Sequence, residues 1–145
     1  MPGHAVKLGE TQTLDHLKDA YRREAQANMR YHFGARLADM ARRPDIAQVL
    51  RAAADEERGH ALEFLDLLVE HGAETPELVC GKLEDDLTAA IEAELHEFTA
   101  LYTRYAEVAA QEDFPEIARW FVELAKAGRT HALWLQQCLD GLKKP

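Results

Sequence analysis

The sequence predicts an all-α protein: a four-helix bundle made of two repeated helical hairpins joined by a crossover loop. Three observations carry this reading. Four long segments place apolar residues at helical spacing, none alternates as a strand does, and proline- and glycine-bearing breaks separate the four. The 145 residues suffice for one domain with a hydrophobic core.

The first segment runs from about Leu14 to Ala41, with Thr13 as the expected N-cap, and ends at "RRPD". The second starts near Pro44, whose fixed φ suits a first helical position, and stops at Gly72. Residues 72–82 hold Gly72, Pro76 and Gly81 and read as the crossover loop. The third segment runs from about Leu83 to Glu112, and "DFP" divides it from the fourth, Pro115 to Gly141. The domain is drawn over residues 13–142, with residues 1–12 as an N-terminal extension and 143–145 as a C-terminal tail.

Each segment carries a heptad-spaced stripe that a bundle is expected to bury. It is Leu17, Glu24, Tyr31, Ala38 in the first and Leu50, Ala53, Glu57, His60, Phe64, Leu67, His71 in the second. In the third it is Leu87, Ile91, Glu94, Phe98, Leu101, Tyr105, Val108, and in the fourth Ile117, Phe121, Leu124, Gly128, His131, Leu135, Cys138. Glutamate and histidine therefore sit at mid-helix on stripes expected to be buried.

The halves repeat. "AYRREAQANMRY" matches "AAIEAELHEFTAL" at an offset of 70, which pairs Glu24 with Glu94. After a one-residue slip, placed at the turn, "DIAQVLRAAADEERGHAL" matches "EIARWFVELAKAGRTHAL" at an offset of 71. His60 then pairs with His131, and Glu57 with Gly128.

Composition narrows the function. A net charge of −9 disfavours nucleic acid and anionic membranes, which call for a basic surface. No apolar run approaches the ~18 residues of a membrane span, and "MPGHAVKLGE" lacks a signal-peptide pattern, so a cytoplasmic location is expected. Cys80 and Cys138 form no CxxC pair and are too few for a thiolate cluster. Clustered carboxylates in an interior repel unless they share protons or cations, and divalent metals resolve this. Carboxylates with some imidazole suit iron or manganese. Glu-x-x-His places both side chains on one helix face, and one glutamate from each of two helices with Glu-x-x-His from the other two is the di-metal carboxylate pattern. "ERGH" alone is weak; its conjunction with the repeat is what gives it weight.

These motifs together resemble the rubrerythrin family of the ferritin-like superfamily, over about Thr11 to Leu142. The resemblance rests on "LKDAYRREAQANMRY" and "AAADEERGHA" in the first half, and on "AAIEAELHEFTALY" and "EIARWFVELAKAGRTHA" in the second. It implies a ferritin-like bundle with a di-iron centre, manganese or zinc being the alternatives. Glu24 would be a terminal ligand and Glu57 a bridge, while Glu94 and His131 would bind the second metal. Glu97, whose repeat partner is Ala27, would be an additional ligand, with one iron moving between Glu97 and His60 as the redox state changes. Tyr31 and Tyr102 would hydrogen-bond around the ligands. The implied activity is reduction of hydrogen peroxide, with dioxygen as the other candidate oxidant. Without CxxC pairs for a rubredoxin domain, electrons would come from a separate, rubredoxin-like or other, donor.

Gly128 stands where the family has its other bridging glutamate. It leaves space beside His131 for water, a small anion or a displaced neighbour, and favours two rivals: a metal-binding protein with little turnover, and a metal-free bundle with a protein–protein role. The short crossover loop further predicts a homodimer, in which exchange of hairpins between chains would relieve the loop.

Overall fold

The computed structural model describes residues 7–144. It is all-α, as the sequence predicts: 84% is helical, and the described residues contain no strand, only an isolated bridge between Thr75 and Val79. Residues 1–6 of the expected N-terminal extension, and Pro145 of the tail, lie outside the described residues. The chain divides into two compact units, one up to Val79 and one from Cys80, and each is a helical hairpin.

In the first hairpin a 3-10 turn, Leu8–Glu10, leads into α1 (Gln12–Met40), which packs on α2 (Pro44–Glu70). Thr13 is not the N-cap. The helix starts at Gln12, and the preceding Thr11 does not cap it either, because its hydroxyl donates to the Leu8 carbonyl at 2.7 Å. α1 ends where Arg42 adopts φ 58°. Arg43 N–H then donates to Ala38 O at 2.8 Å and Arg42 N–H to Asp39 O at 3.0 Å. This pair of bonds satisfies carbonyls that a helix end leaves free. Pro44 follows at the first position of α2, where its missing N–H does no harm.

Past α2, Gly72 adopts φ 66° and closes the helix in the same way. The segment after it is folded rather than extended. Thr75 is fully buried, Leu78 and Val79 N–H groups donate to its carbonyl, and Glu77 pairs with Lys18 of α1 at 2.8 Å.

The second hairpin repeats the plan. Asp86 accepts N–H bonds from Cys80 and Gly81 and so fixes the start of α3 (Leu83–Glu92). The expected single third helix is interrupted. A π segment, Ala93–Thr99, separates α3 from α4 (Ala100–Gln111) without breaking the helical backbone. Asp113, at φ 69°, then turns the chain into α5 (Pro115–Leu142), with Phe114 N–H on Ala109 O at 2.8 Å. Residue for residue, this turn copies the first one at an offset of 71.

The one-residue slip is therefore not at the turn. Buried Ala106 and Ala109 of α4 already match buried Ala35 and Ala38 of α1 at an offset of 71, whereas Glu94 matches Glu24 at 70. The extra residue lies in the π segment between them, since a π turn accommodates one more residue than an α turn.

The seam inside each hairpin is built of small residues. In α2 every seventh residue is buried: Ala47, Ala54, Ala61, Leu68. In α5 the buried residues are Ala125, Ala132 and Leu139, again seven apart, with Gly128. Apart from Gly128, which is on the expected stripe, these lie beside the expected stripes. Glu57, Phe64 and Leu67 are only half-buried, and His60 and His131 are exposed. The reason is steric: two helices approach closest along alanine and glycine, so the larger stripe residues flank the seam.

This seam yields a stability prediction. Ala47 is fully buried against Ala35 and Ala38. Ala47→Leu is expected to destabilise the fold by about 1–3 kcal/mol through overpacking, read as a lowered thermal midpoint. An unchanged midpoint would show that the helices are not in close contact there.

Candidate metal centre

The first hairpin brings three expected ligands together. Glu24 comes from the middle of α1, and Glu57 and His60 from the middle of α2. One ligand atom from each lies within 4.8 Å of the others. His60 Nδ1 is 3.7 Å from Glu24 Oε1 and 3.8 Å from Glu57 Oε2. The i, i+3 spacing aims Glu57 and His60 the same way, and the alanine seam brings α1 near enough for Glu24 to meet them. Asn28, one turn beyond Glu24, donates to the Ala54 carbonyl at 2.7 Å and ties the helices together at this level.

The second hairpin brings two ligands together. Glu94, in the π segment, lies with its Oε1 3.4 Å from His131 Nδ1 on α5. Glu97 is exposed on the same segment, has no ion pair among the described residues, and lines a shallow depression with His96, Leu101 and Arg104. Tyr31 is half-buried on α1 beside Gln26, Ala27 and Arg30. Tyr102 is half-buried in an aromatic cluster, its ring 5.8 Å from Phe98 and 5.6 Å from Phe121.

The space beside Gly128 is not open. A Cβ placed there would lie 3.0 Å from Glu94 Oε2, 3.0 Å from Thr99 Oγ1 and 3.4 Å from the Glu94 carbonyl. The side chains of Glu94 and Thr99 border it. This crowding accounts for glycine rather than alanine, whose better helix propensity is worth about 1 kcal/mol.

In the first hairpin a cation would offset the repulsion between Glu24 and Glu57. Two carboxylates about 4 Å apart repel by about 1 kcal/mol in water, and by about 4 kcal/mol at the effective dielectric near a protein surface. The side chains of Glu24, Glu57 and Glu94 are 26%, 22% and 23% exposed, so water screens them incompletely. Hard carboxylate oxygens with imidazole nitrogens form a donor set that iron or manganese accepts, and these residues fit such an ion. The thiols offer no comparable site. Cys80 and Cys138 are free, and burial, with the carboxylates of Asp86 and Asp85, pushes the Cys80 thiol up and so reduces its thiolate fraction.

An all-α chain of two helical hairpins, each bearing carboxylate and imidazole at mid-helix, belongs to the class of metal-carboxylate helical proteins. The rubrerythrin family model matches residues 15–139, and the chain belongs to that family. It is 36% identical over 125 residues to a rubrerythrin of Porphyromonas gingivalis, covering 83% of this chain and 62% of that one. It is 32% identical over 145 residues to rubrerythrin-2 of Clostridium acetobutylicum, covering 96% and 78%. A rubrerythrin of Nitratidesulfovibrio vulgaris is 30% identical over 128 residues, covering 86% and 67%. The chain thus spans between about three-fifths and four-fifths of these relatives. Membership supports a di-iron protein with a ferritin-like fold. No helix among the described residues is long and apolar enough to cross a membrane.

Asn28, Thr99 and the π segment are not among the residues that the sequence motifs pick out. The signal for the last was present: the repeat offset changes between Glu24/Glu94 and Tyr31/Tyr102, within the third helical segment.

The family resemblance makes Glu57 the expected bridge, and the geometry sets it beside Glu24 and His60. Glu57→Gln keeps its shape and removes its charge. Divalent metal content, measured on the purified chain, is expected to fall to one per chain or fewer; two per chain retained would remove Glu57 from the site.

Proposed function

We propose that this chain carries a non-haem di-iron centre and reduces hydrogen peroxide, with electrons from a separate donor protein. The observation that carries the reading is the convergence of Glu24, Glu57 and His60, repeated in part by Glu94 and His131. A centre of the family pattern draws on both groups. Iron bound there supplies redox and Lewis-acid chemistry.

The chain's own residues have distinct tasks. Glu57, Glu24 and Glu94 would hold the ions by their carboxylates, whose negative charge would offset that of the metal. His60 and His131 would complete the donor set. By the family resemblance Glu97 would supply a further carboxylate from the π segment, and Tyr31 and Tyr102 would orient ligands by hydrogen bonding. The two electrons per peroxide come from the donor and the two protons from solvent. Gly128 favours a second reading, metal binding with little turnover, because it withholds a bridging carboxylate.

A steady-state assay separates these. With ferrous iron and a chemical reductant, the chain is expected to consume peroxide, and Glu57→Ala or His60→Ala to slow this at least tenfold at equal protein. Rates equal to those of free iron, or unchanged in both variants, would sink the enzymatic reading.

The assembly we infer is a homodimer with exchanged hairpins. A crossover along a helix of 28 residues must cover about 42 Å. Residues 72–82 reach at most about 36–40 Å when extended, and the turn at Thr75–Val79 shortens them further. Refolding a mixture of Glu57→Ala and Glu94→Ala chains is expected to restore metal binding in part, since one exchanged site keeps every ligand. A proven heterodimer that binds no metal would contradict the exchange.

A further inference from the structure

We propose that Thr99 is a positioning residue for Glu94, and that Gly128 is what lets α5 close on it. This rests on the reading of Glu94 as a metal ligand. The Thr99 hydroxyl donates to the Glu94 carbonyl at 2.6 Å, a span of five residues, which is the span of a π turn. π turns are rare, and this one is reinforced at the residue that carries the ligand.

Across from it, a Cβ at residue 128 would be 3.0 Å from both Thr99 Oγ1 and Glu94 Oε2. Gly128 is itself buried. The hydroxyl and the carboxylate thus fill the volume that a side chain at residue 128 would need.

The repeat makes the point sharper. Thr99 matches Asn28 at an offset of 71, and Gly128 matches Glu57. In the first hairpin Asn28 reaches across to a carbonyl of α2, while Thr99 turns back onto its own helix. The loss of a carboxylate at residue 128 and the hydroxyl at residue 99 are therefore two parts of one arrangement. Restoring a glutamate at residue 128 alone displaces Glu94 instead of adding a ligand.

The test uses the full chain and two readouts. The first is amide hydrogen exchange of residues 93–100 in metal-free protein. The second is Mn²⁺ affinity by electron paramagnetic resonance titration. Thr99→Val keeps the shape and loses the donor; it is expected to speed exchange about fivefold, the effect of one lost hydrogen bond, and to weaken Mn²⁺ binding by a similar factor. Thr99→Ser is expected to match the parent in both. Gly128→Ala is expected to weaken Mn²⁺ binding, yet to add nothing to Thr99→Ala in the double variant, as coupled neighbours do. Parent-like exchange and affinity in Thr99→Val, or additive losses in the double variant, would overturn the proposal. A parent chain that binds no Mn²⁺ would refute the ligand reading, while the exchange comparison still decides whether Thr99 holds the segment.

Discussion

Close approach of two helices along small side chains is the constraint on which the rest of this structure depends. Within each hairpin the buried residues are mostly alanine: Ala35, Ala38, Ala47, Ala54 and Ala61 in the first, Ala106, Ala109, Ala125 and Ala132 in the second. Only at such a distance can a glutamate on one helix meet a glutamate and a histidine on the next. In the first hairpin it brings Glu24 and Glu57 together with His60, and in the second Glu94 with His131. Fold and chemistry therefore meet in the same seam.

The two hairpins use the same plan with different contents. The turns agree in every hydrogen bond of their helix ends, down to positive φ at Arg42 and Asp113 and a proline two residues later. The first hairpin keeps three donors at mid-helix. The second keeps two, and spends the third position on a glycine that admits Thr99 and Glu94. The π segment carries both Glu94 and Glu97. The two mid-helix groups of the repeat are thus asymmetric.

Much of this was legible in the sequence. Pro44 and Pro115 marked the starts of α2 and α5, and the repeat paired Glu24 with Glu94 and His60 with His131. Two things were not. Heptad periodicity does not separate the row at Ala47, Ala54 and Ala61 from the adjacent row at Leu50, Glu57 and Phe64, because both are largely apolar and only side-chain size tells which one a helix meets. The π segment escaped because its residues favour helix of any kind, and a single inserted residue leaves no mark on composition. Thr13 illustrates a smaller limit: capping depends on which carbonyl takes the neighbouring threonine's hydroxyl, and that is settled by the turn at Leu8.

The central proposal is that this chain holds a two-metal centre despite Gly128. Anomalous diffraction at the iron edge, from crystals grown with ferrous iron under anaerobic conditions, tests it most directly. The account predicts two iron peaks about 3.5–4 Å apart, with Glu57 touching both and one peak beside Glu94 and His131. A single peak at Glu24, Glu57 and His60, or no peak at these residues, would contradict it.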